Sequence, residues 1–574
     1  MKILLVATAY NSLTQRVHVE LDELGHEISV ELALNEAVVS EAVALFQPDL
    51  ILAPMLKTPI AEEVWRNYRC IIIHPGPKGD RGPSSLDWAI SLRAAIWGVT
   101  LLQATGEMDA GPIWASVNFP MRVAPKSSIY RNEVTDAAIA AVHLVIKLAE
   151  SPDFVPTPVN YTNPEVFGRL RPPMKQRDRT LRWSESTAAI IRKIYAADSW
   201  PGALDVIDGE SFYLYGAHEE DELKGAPGAI LAQRHGAICR ATGDGAVWIT
   251  HLKRKRSDNR RYFKLPAATV LGETLQNVPE IDVDLMLSPH RRTFREIWYA
   301  ERNSVGYLYF NFYGGAMNTD QCRRLLDAYR FTKSRATRVI ALMGGADFFS
   351  NGIHLNVIEA APDPAAESWT NINAMDDLVY EILTTETHLV ISALQGNAGA
   401  GGVMLAIAGD EVVARKSVIL NPHYKGLGNL YGSEYWTYSL PRRVGAAKAL
   451  EFTNSCLPLG TKKALEAGLI DHAFGDSLEE FCHLLQSFAE STAQSPNADR
   501  RLVEKKERRA RENLIKTLDQ YRAEELQRMW TNFYGLDPGY HFARSCFVHK
   551  LSPLETPPHL AKHRSGRSPV LSSV

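Results

Sequence analysis

A histidine at the end of an apolar run is the first candidate for chemistry in this sequence. Ile71, Ile72 and Ile73 predict a buried strand that would carry the imidazole of His74 to the carboxyl edge of a sheet, where α/β proteins place their active sites. Most single histidines, however, are hydrogen-bonded parts of a core. The surrounding elements must therefore decide between a structural and a catalytic role.

The elements before this histidine predict a parallel α/β sheet. A strand over residues 2–9, a helix over 15–24 and a strand over 28–34 have the spacing of a βαβ unit. The first strand-to-helix loop lacks a glycine-rich phosphate-binding sequence, which disfavours a dinucleotide site. Another strand over residues 49–54 precedes that of His74. The sheet would thus gather several strand ends at one edge.

Several spaced blocks accompany His74 in this first region. In chain order they are Asp49-Leu50-Ile51-Leu52-Ala53-Pro54, His74-Pro75-Gly76-Pro77-Lys78-Gly79-Asp80-Arg81-Gly82, Leu86-Asp87-Trp88-Ala89-Ile90, Gln103 and Glu107-Met108-Asp109-Ala110-Gly111. Together they resemble the 10-formyltetrahydrofolate-dependent formyltransferases. The resemblance implies that His74 and Asp109 carry catalysis. An imidazole can donate a hydrogen bond to the oxyanion of formyl transfer, while a carboxylate holds the charge of the imidazole and helps move a proton.

Position 72 departs from that family. Ile72 stands where the family carries an asparagine that helps to hold the formyl oxygen, so the oxyanion is stabilised differently or the acceptor is unusual. The resemblance also implies that the pterin of 10-formyltetrahydrofolate lies against backbone groups of the loop formed by Ala53, Pro54, Met55 and Leu56.

Short strands with turn-rich spacing between residues 211 and 250 predict a small OB-like β-barrel, which resembles the C-terminal barrel of the same formyltransferases. A basic run follows, with Lys253-Arg254-Lys255-Arg256 and then Arg260 and Arg261. The run is either a solvated loop at the rim of the barrel or a patch for the phosphates of a nucleic acid or nucleotide-bearing cofactor. Its position does not separate these interpretations.

Two glycine-containing turns in the second half can aim backbone N–H groups at one point, as an oxyanion hole requires. One turn lies within residues 349–355 and the other within residues 396–410, and each leads into a helix. Tight turns alone would explain the glycines, although not the combination.

With Leu440-Pro441-Arg442-Arg443-Val444-Gly445 and Ala464-Leu465-Glu466-Ala467-Gly468-Leu469-Ile470, these turns resemble the crotonase (enoyl-CoA hydratase/isomerase) superfamily over about residues 305–485. The resemblance implies an acyl-CoA thioester whose carbonyl is polarised by the backbone N–H groups of Ile353 and Gly401. It further implies that Gly352 and His423 line the CoA site.

The pair of glutamates that hydratases use is replaced by Met404 and His423, which disfavours the addition of water to a double bond. A polar and aromatic loop over residues 421–434 supplies Tyr424 and Glu434 as candidates for proton handling. A packed tyrosine and an exposed glutamate are the commoner fates of such residues.

The composition indicates a soluble cytosolic protein of several domains. The 574 residues exceed what one core can organise, and the net charge of −3 argues against a grip of the whole molecule on nucleic acid. The six cysteines lie far apart, so no metal site is expected. We expect neither a leader segment nor a membrane span.

The predicted fold class is α/β and β multidomain. The expected order is a formyltransferase-like parallel-sheet domain at 1–165, the β-barrel at 175–275, a linker at 276–304, a crotonase-like spiral domain at 305–490, a C-terminal helical segment at 491–550 and a flexible tail at 551–574. Mixed charges from Asp499 to about Trp530 predict one long, solvent-facing helix within the helical segment.

The fusion of these two units resembles a family of hydrogenase maturation factors. The resemblance implies that formyl passes from 10-formyltetrahydrofolate to coenzyme A, and that formyl-CoA is then decarbonylated to CO and CoA. CO would become a ligand of the iron of a [NiFe]-hydrogenase. The expected partners are small-molecule substrates and other hydrogenase maturation proteins, without nucleic acid or membrane.

Three alternatives remain open at this point. The chain could formylate a macromolecule such as aminoacyl-tRNA, with the basic run as its grip, but the crotonase-like half would then be unexplained. The second half could be a CoA-sensing docking module without catalysis. Formyl-CoA could also be hydrolysed to formate if water enters the second site.

Overall fold

The computed structural model describes residues 1–256 and 260–564, which separate into two compact units. The first unit comprises Met1–Ala217 and Ser552–Val574, and the second comprises His218–Leu551. No helix within the described ranges is both long and apolar enough to cross a membrane.

The first unit is an α/β fold with a terminal hairpin. Its strands are β1 Lys2–Ala7, β2 Glu27–Leu32, β3 Leu50–Ala53, β4 Cys70–His74, β5 Ile96–Gln103, β6 Ile113–Pro120, β7 Ala203–Ile207 and β8 Glu210–Glu220, the last of which crosses the boundary of the unit. Its helices are α1 Ser12–Glu23, α2 Glu36–Phe46, α3 Glu62–Asn67, α4 Ser85–Ser91, α5 Lys126–Ile129, α6 Thr135–Ala149 and α7 Thr187–Ala197.

The sheet of this unit has the order β2-β1-β3-β4-β5-β6. Strands β1 to β4 are parallel, and β5 and β6 continue the sheet in antiparallel pairing. Helices connect the parallel strands, as the βαβ spacing predicts. Cys70, Ile71 and Ile73 of β4 are buried and Ile72 is partly exposed, so the last residue, His74, emerges from a rigid support.

The second unit contains the remaining elements. Its strands are β9 Ile230–Arg234, β10 Ala237–Ala241, β11 Ala246–Arg254, β12 Leu265–Pro266, β13 Ile297–Arg302, β14 Val305–Phe310, β15 Val339–Met343, β16 Phe348–Ser350, β17 Leu389–Leu394, β18 Asn397–Gly399, β19 Glu411–Arg415, β20 Ile419–Asn421, β21 Leu459–Gly460 and β22 His472–Phe474. Its helices are α8 Ala267–Leu271, α9 Thr319–Lys333, α10 Leu355–Ala360, α11 Pro364–Leu383, α12 Gly401–Ile407, α13 Trp436–Val444, α14 Ala446–Ser455, α15 Thr461–Ala467, α16 Leu478–Gln494, α17 Ala498–Ile515, α18 Leu518–Tyr534 and α19 Gly539–Val548.

Two sheets organise the crotonase-like part of this unit. The larger has the order β13-β14-β15-β17-β19-β22, and the smaller has the order β16-β18-β20-β21. Except for the edge strand β13, the larger sheet is parallel. Strands β16 and β18 lead toward the two turns predicted to form an oxyanion hole, so neighbouring strands bring those turns together.

The predicted barrel is present as strands, but its closure is not found in the described part of the chain. Strand β10 pairs with β9 and β11, and β11 also pairs with β12. Among the described residues, the far side of β9 forms an isolated bridge, between Gln233 and Glu280. The basic run begins with Lys253 and Arg254 at the end of β11 and continues with Lys255 and Arg256, and Arg260 and Arg261 follow residues 257–259, which lie outside the described residues.

Three other expectations require correction. The predicted linker contains β13, whose alternating residues Ile297 and Tyr299 are buried against the core. The predicted long helix is divided into α17 and α18, because Thr517 forms a capping box with Gln520 and begins a new helix. Nor is the charged face of α17 wholly solvent-facing, since Lys505 is buried in an ion pair with Asp410 at 2.7 Å.

The described part of the predicted flexible tail, residues 552–564, is anchored to the first unit. The N–H of Val30 donates to the carbonyl of Leu560 at 2.9 Å, and the N–H of Leu32 donates to Oγ1 of Thr556 at 2.9 Å. Between them the buried carboxylate of Glu31 binds Arg564 at 2.6 Å. The tail therefore covers the open edge of strand β2, which would otherwise expose unpaired backbone groups.

Deletion of residues 552–574 should expose this edge. Hydrogen exchange at the amides of Val30 and Leu32 should accelerate, because both lose their acceptors. The amides of Ser29 and Glu31 alternate toward β1 and should remain protected, so they serve as internal controls. Unchanged exchange at Val30 and Leu32 in the deletion variant would contradict this account of the tail.

Candidate active sites

The structure brings His74 and Asp109 together. His74 ends β4 with 5% of its side chain exposed, and its Nδ1 lies 3.5 Å from Oδ2 of Asp109. Asp109 has a left-handed φ of 53°, and its Oδ2 accepts a hydrogen bond from the N–H of Gly82 at 3.2 Å. The loop conformation and this bond aim the carboxylate at the imidazole.

A second carboxylate, not singled out from the sequence, faces the other ring nitrogen. Nε2 of His74 lies 3.0 Å from Oδ2 of Asp80, whose side chain is fully buried. The other oxygen of Asp80 forms an ion pair with Arg171. Arg171 also lies over the ring of Trp97, with 5.2 Å between the guanidinium carbon and the ring centroid. The imidazole is thus flanked by two acids.

The proline-rich passage after the sheet delivers Arg171. The N–H of Gly168 donates to the carbonyl of Lys78 at 3.1 Å, and the N–H of Arg171 donates to the carbonyl of Arg81 at 3.0 Å. These bonds run like a short strand along the loop that follows β4. The sequence offered no local signal for this contact, because 91 residues separate Arg171 from Asp80.

Gly76 makes the close approach of His74 and Asp80 possible. A Cβ atom at position 76 would overlap Oδ2 of Asp80 and lie 2.5 Å from Nε2 of His74. Any side chain here would push the two groups apart. The glycine of the His74-Pro75-Gly76 sequence therefore has a steric role in the site.

The predicted folate-binding loop lies at the end of β3, one strand away from His74. Ala53 and Pro54 are buried, whereas Met55 and Leu56 are partly exposed. The carbonyl of Met55 accepts from the N–H of Thr8 at 2.8 Å. Ile72 and Leu56 both pack at the margin of one apolar cluster, which explains why position 72 is compatible with an aliphatic side chain.

In the second unit the two predicted turns meet. Gly352 has a left-handed φ of 77°, and a Cβ atom there would lie 3.2 Å from the backbone nitrogen of Gly401. Ile353 follows directly, while Gly401 is the first residue of α12. Within residues 1–256 and 260–564 we find no hydrogen bond from the N–H of Ile353 or of Gly401. Both groups can therefore donate to a bound carbonyl oxygen.

Glu434 reaches this point from the polar loop. A Cβ atom at Gly401 would overlap Oε1 of Glu434, so the carboxylate lies directly against the predicted oxyanion-binding turn. The hydroxyl of Tyr424 donates to the other oxygen, Oε2, at 2.8 Å. The structure thus brings Tyr424, Glu434 and Gly401 into one cluster, in which both side chains are buried.

Two further buried acids hold the backbone of Glu434 in place, and neither was singled out from the sequence. Glu434 and Tyr435 have left-handed φ values of 59° and 58°, which are uncommon for residues other than glycine. The N–H of Glu434 donates to Asp376 at 2.8 Å, and the N–H of Tyr435 donates to Glu525 at 2.9 Å. Ser433 donates from its hydroxyl to Asp376 at 2.9 Å. These bonds stabilise a conformation that is otherwise strained.

Burial raises the pKa of the three neighbouring acids Asp376, Glu434 and Glu525. It raises the pKa of Glu434 to about 8, and the charge of Asp376 adds to the effect. Burial likewise raises the pKa of Glu525 to about 8 and that of Asp376 to about 7, although Arg522 opposes the change at Asp376. Burial and the nearby Glu434 also raise the pKa of Tyr424 well above its ordinary value. The cluster therefore retains protons near neutrality.

The two residues that replace the hydratase glutamates occupy different environments. Met404 is completely buried in the main core of the unit. The Nδ1–H of His423 donates to the carbonyl of Asn421 at 3.0 Å, and burial lowers the pKa of this histidine. Neither side chain offers a carboxylate for activating water.

The comparisons with known proteins match the two parts of the chain to two families. The family model "Enoyl-CoA hydratase/isomerase" matches residues 315–531, and "Formyl transferase, C-terminal domain" matches residues 173–264. The chain is similar to the hydrogenase maturation factor HoxX of Bradyrhizobium diazoefficiens, with 49% identity over 99% of this chain and 98% of that protein. It is 31% identical to the methionyl-tRNA formyltransferase of Sorangium cellulosum over 34% of this chain and 61% of that protein.

Among solved structures, the chain is similar to HypX from Aquifex aeolicus in complex with tetrahydrofolic acid. The sequences are 47% identical, the TM-score is 0.95, and the alignment covers 98% of this chain and 99% of that one. The predicted resemblance to formyltransferases and crotonases is confirmed by these matches.

The buried acids predict a falling stability of the second unit with rising pH. A carboxyl whose pKa is raised by folding binds its proton more tightly in the folded state, so its stabilising contribution is lost as pH rises from about 5 toward 8. The unfolding temperature of this unit should therefore decrease over that window in scanning calorimetry. Replacement Glu525→Gln should flatten the slope, since one unit of pKa corresponds to about 1.4 kcal/mol.

The neighbouring replacement Glu524→Gln is the matched control, because Glu524 is exposed on the same helix. Its pH slope should equal that of the unmodified protein. Equal slopes for both variants would refute the assignment of the slope to the buried cluster.

Proposed function

Because the chain belongs to the HypX/HoxX family of hydrogenase maturation factors, we propose that it produces CO in two steps at two sites. The first site transfers a formyl group from 10-formyltetrahydrofolate to the thiol of CoA. The second site decarbonylates the resulting formyl-CoA. The observation that carries the proposal is the carboxylate of Glu434, which lies against the turn of Gly401 in a site without the hydratase glutamates.

The first site supports formyl transfer through the pair of His74 and Asp109. The imidazole can donate a hydrogen bond to the oxyanion that develops on the formyl oxygen, and the carboxylate can accept the proton of the attacking thiol. As the C–S bond forms, the bond from the formyl carbon to N10 of the folate would break, and Asp109 would return the proton to N10. Their separation of 3.5 Å leaves both groups available to a substrate. Rigid support by β4 keeps the imidazole oriented during the reaction.

The surroundings of His74 fit a flat heterocycle. Leu56, Trp65 and Ile72 are partly exposed and pack against the same apolar cluster, so they offer an apolar wall beside the loop of Ala53 and Pro54. Backbone groups of this loop would hold the polar edge of the pterin. When bound, 10-formyltetrahydrofolate supplies the activated formyl group, and the residues of the chain bind and orient it.

The second site supports decarbonylation through a polarised carbonyl and an adjacent base. The N–H groups of Ile353 and Gly401 would bind the oxygen of formyl-CoA, which makes the formyl hydrogen more acidic. Glu434 in its ionised form would then remove that hydrogen as a proton. A carboxylate whose pKa is about 8 is a stronger base than an ordinary glutamate.

The atoms and electrons of this step balance without a further reactant. The electron pair of the C–H bond remains on carbon as the lone pair of CO, and the electron pair of the C–S bond leaves with sulfur. Glu434 returns its proton to the thiolate, with Tyr424 bonded to its other oxygen throughout. The products are CO and CoA, and the carboxylate is regenerated.

We further propose that CO serves as a ligand of the iron of a [NiFe]-hydrogenase. The support for this proposal is that the chain belongs to a family of hydrogenase maturation factors. Other maturation proteins would then be the partners that receive the product, and the substrates would be small molecules.

Separate variants should separate the two steps. His74→Ala should abolish the formation of formyl-CoA from 10-formyltetrahydrofolate and CoA, yet release CO from supplied formyl-CoA at the normal rate. Glu434→Gln should show the opposite pattern. A haem reporter measures CO, and a parallel assay measures formate.

His143→Ala is the control for the first variant, because this partly exposed histidine of the same unit lies 3.3 Å from Glu20 on a helix and takes no part in the proposed site. If the unmodified protein produced formate without CO, formyl-CoA would be hydrolysed at the second site, and the decarbonylation proposed here would be wrong. Loss of both steps in a folded His74→Ala protein would defeat the two-site assignment.

The rate of CO release from formyl-CoA should rise with pH. Below about pH 8 the ionised fraction of Glu434 increases roughly tenfold per pH unit, and the rate should follow it. Asp376→Asn removes a like charge, which lowers the pKa of Glu434 and should move the rising limb of the profile to lower pH. If the rate of CO release in Asp376→Asn rises over the same pH range as in the unmodified protein, or over a higher range, Glu434 is not the base.

A further inference from the structure

We propose that Asp80, held by Arg171, is a positioning residue that keeps the imidazole of His74 in its doubly protonated, cationic form. The cationic imidazole then serves as a strong single donor to the formyl oxygen at a site where Ile72 provides no second donor. This inference rests on the formyl transfer proposed above and concerns the same site.

The hydrogen-bond geometry favours the cationic form. A neutral imidazole carries one N–H and one acceptor nitrogen, whereas the cation carries two N–H groups. Here Nε2 of His74 lies 3.0 Å from Asp80 and Nδ1 lies 3.5 Å from Asp109, so a carboxylate oxygen faces each nitrogen. A lone pair on either nitrogen would point at negative charge. Protonation of both nitrogens turns two repulsions into attractions.

The charges of the buried group also balance only in this form. Arg171 and a cationic His74 match the two carboxylates of Asp80 and Asp109, and three of these four side chains are at most 12% exposed while Asp109 is 14% exposed. A neutral imidazole would leave an excess negative charge in a place where charge is costly. Arg81, in the same loop, is paired with Glu107 at 2.5 Å.

The two contacts of the imidazole differ in a way that suits catalysis. The Nε2 contact with Asp80 is a hydrogen bond, which anchors the ring. The Nδ1 contact with Asp109 is longer than a hydrogen bond, so this N–H remains available to a substrate oxygen placed beside it. Asp109 stays free to accept the proton of the thiol. The anchoring acid and the reacting acid are thus separate residues.

The position of Ile72 explains why a cationic donor matters. Residues 72 and 74 project from the same face of β4, because side chains alternate along a strand. Ile72 has no polar atom and packs on an apolar cluster. The oxyanion therefore depends on His74, and a hydrogen bond from a cation is roughly twice as strong as one between neutral groups.

The test combines spectroscopy of the ring with transfer kinetics. Protein labelled with ¹⁵N in histidine, with His74→Gln to assign the signals, reports whether each ring nitrogen carries a proton. We expect two N–H groups on His74 of the unmodified protein at pH 7 and one in Asp80→Asn. Glu107→Gln, a neighbouring acid on the surface, should leave the ring signals of His74 unchanged.

Kinetic measurements test whether the positive charge of His74 contributes to formyl transfer. Asp80→Asn should lower kcat of formyl transfer on the order of 10²-fold, with little change in KM for 10-formyltetrahydrofolate. Ile72→Asn should recover at least about tenfold of this loss in the Asp80→Asn background, because it supplies a second donor on the same face. A merely structural role of Asp80 would produce no such rescue.

A single N–H on His74 in the unmodified protein would overturn the inference, whatever the variants do. The same holds if Asp80→Asn keeps two N–H groups or loses no rate. If His74 carries two N–H groups but the unmodified protein transfers no formyl to CoA, then the proposed reaction fails while the positioning by Asp80 stands.

Discussion

In both candidate sites a buried carboxylate occupies space that the Cβ atom of any residue other than glycine would fill. Asp80 meets His74 beside Gly76, and Glu434 meets the start of α12 beside Gly401. Carboxylates are strongly hydrated, so such positions exist only where the fold supplies partners in place of water. The strands, turns and C-terminal helices around each site can be understood as the means of supplying them.

The two sites offset the cost of burying a carboxylate in different ways. In the first unit a cation, Arg171, neutralises the buried acid, which leaves a group of fixed charges around the imidazole. In the second unit Asp376, Glu434 and Glu525 lie together, and the guanidinium of Arg522 is 3.7 Å from Asp376. Because burial raises the pKa of all three acids, they keep protons near neutral pH, and this limits the negative charge of the site. The first site is therefore suited to orienting and stabilising charge, and the second is suited to exchanging a proton with a substrate.

The sequence predicted what local patterns carry, and it missed what distant segments contribute. The strand that ends in His74, the loop of Asp109 and the pair of Tyr424 and Glu434 lie within recognisable blocks, and the structure brings each pair together. Arg171 and Glu525 come from a proline-rich passage and a charged helix about 90 residues from their partners. Nothing in their spacing marks them, because the contacts arise only when the chain has folded.

The same limit applies to the fold. Alternation of apolar residues predicted the strands, but whether a set of short strands closes into a barrel depends on pairings between their edges, which periodicity does not encode. The described strands β9 to β12 leave one edge unclosed. The division between α17 and α18 was readable in principle, since Thr517 and Gln520 have the spacing of a capping box within an otherwise continuous charge pattern.

The anchoring of the tail on β2 has a consequence for how the protein is made. The first sheet emerges from the ribosome early, but the segment that covers its edge is synthesised more than 500 residues later. At roughly 5–20 residues per second, the edge would stay open for roughly half a minute to two minutes. During that time a nascent chain presents an unpaired strand to its neighbours. The wait exposes each chain on a polysome to edge-to-edge pairing, so a chaperone that shields this strand during translation would raise the yield of native protein.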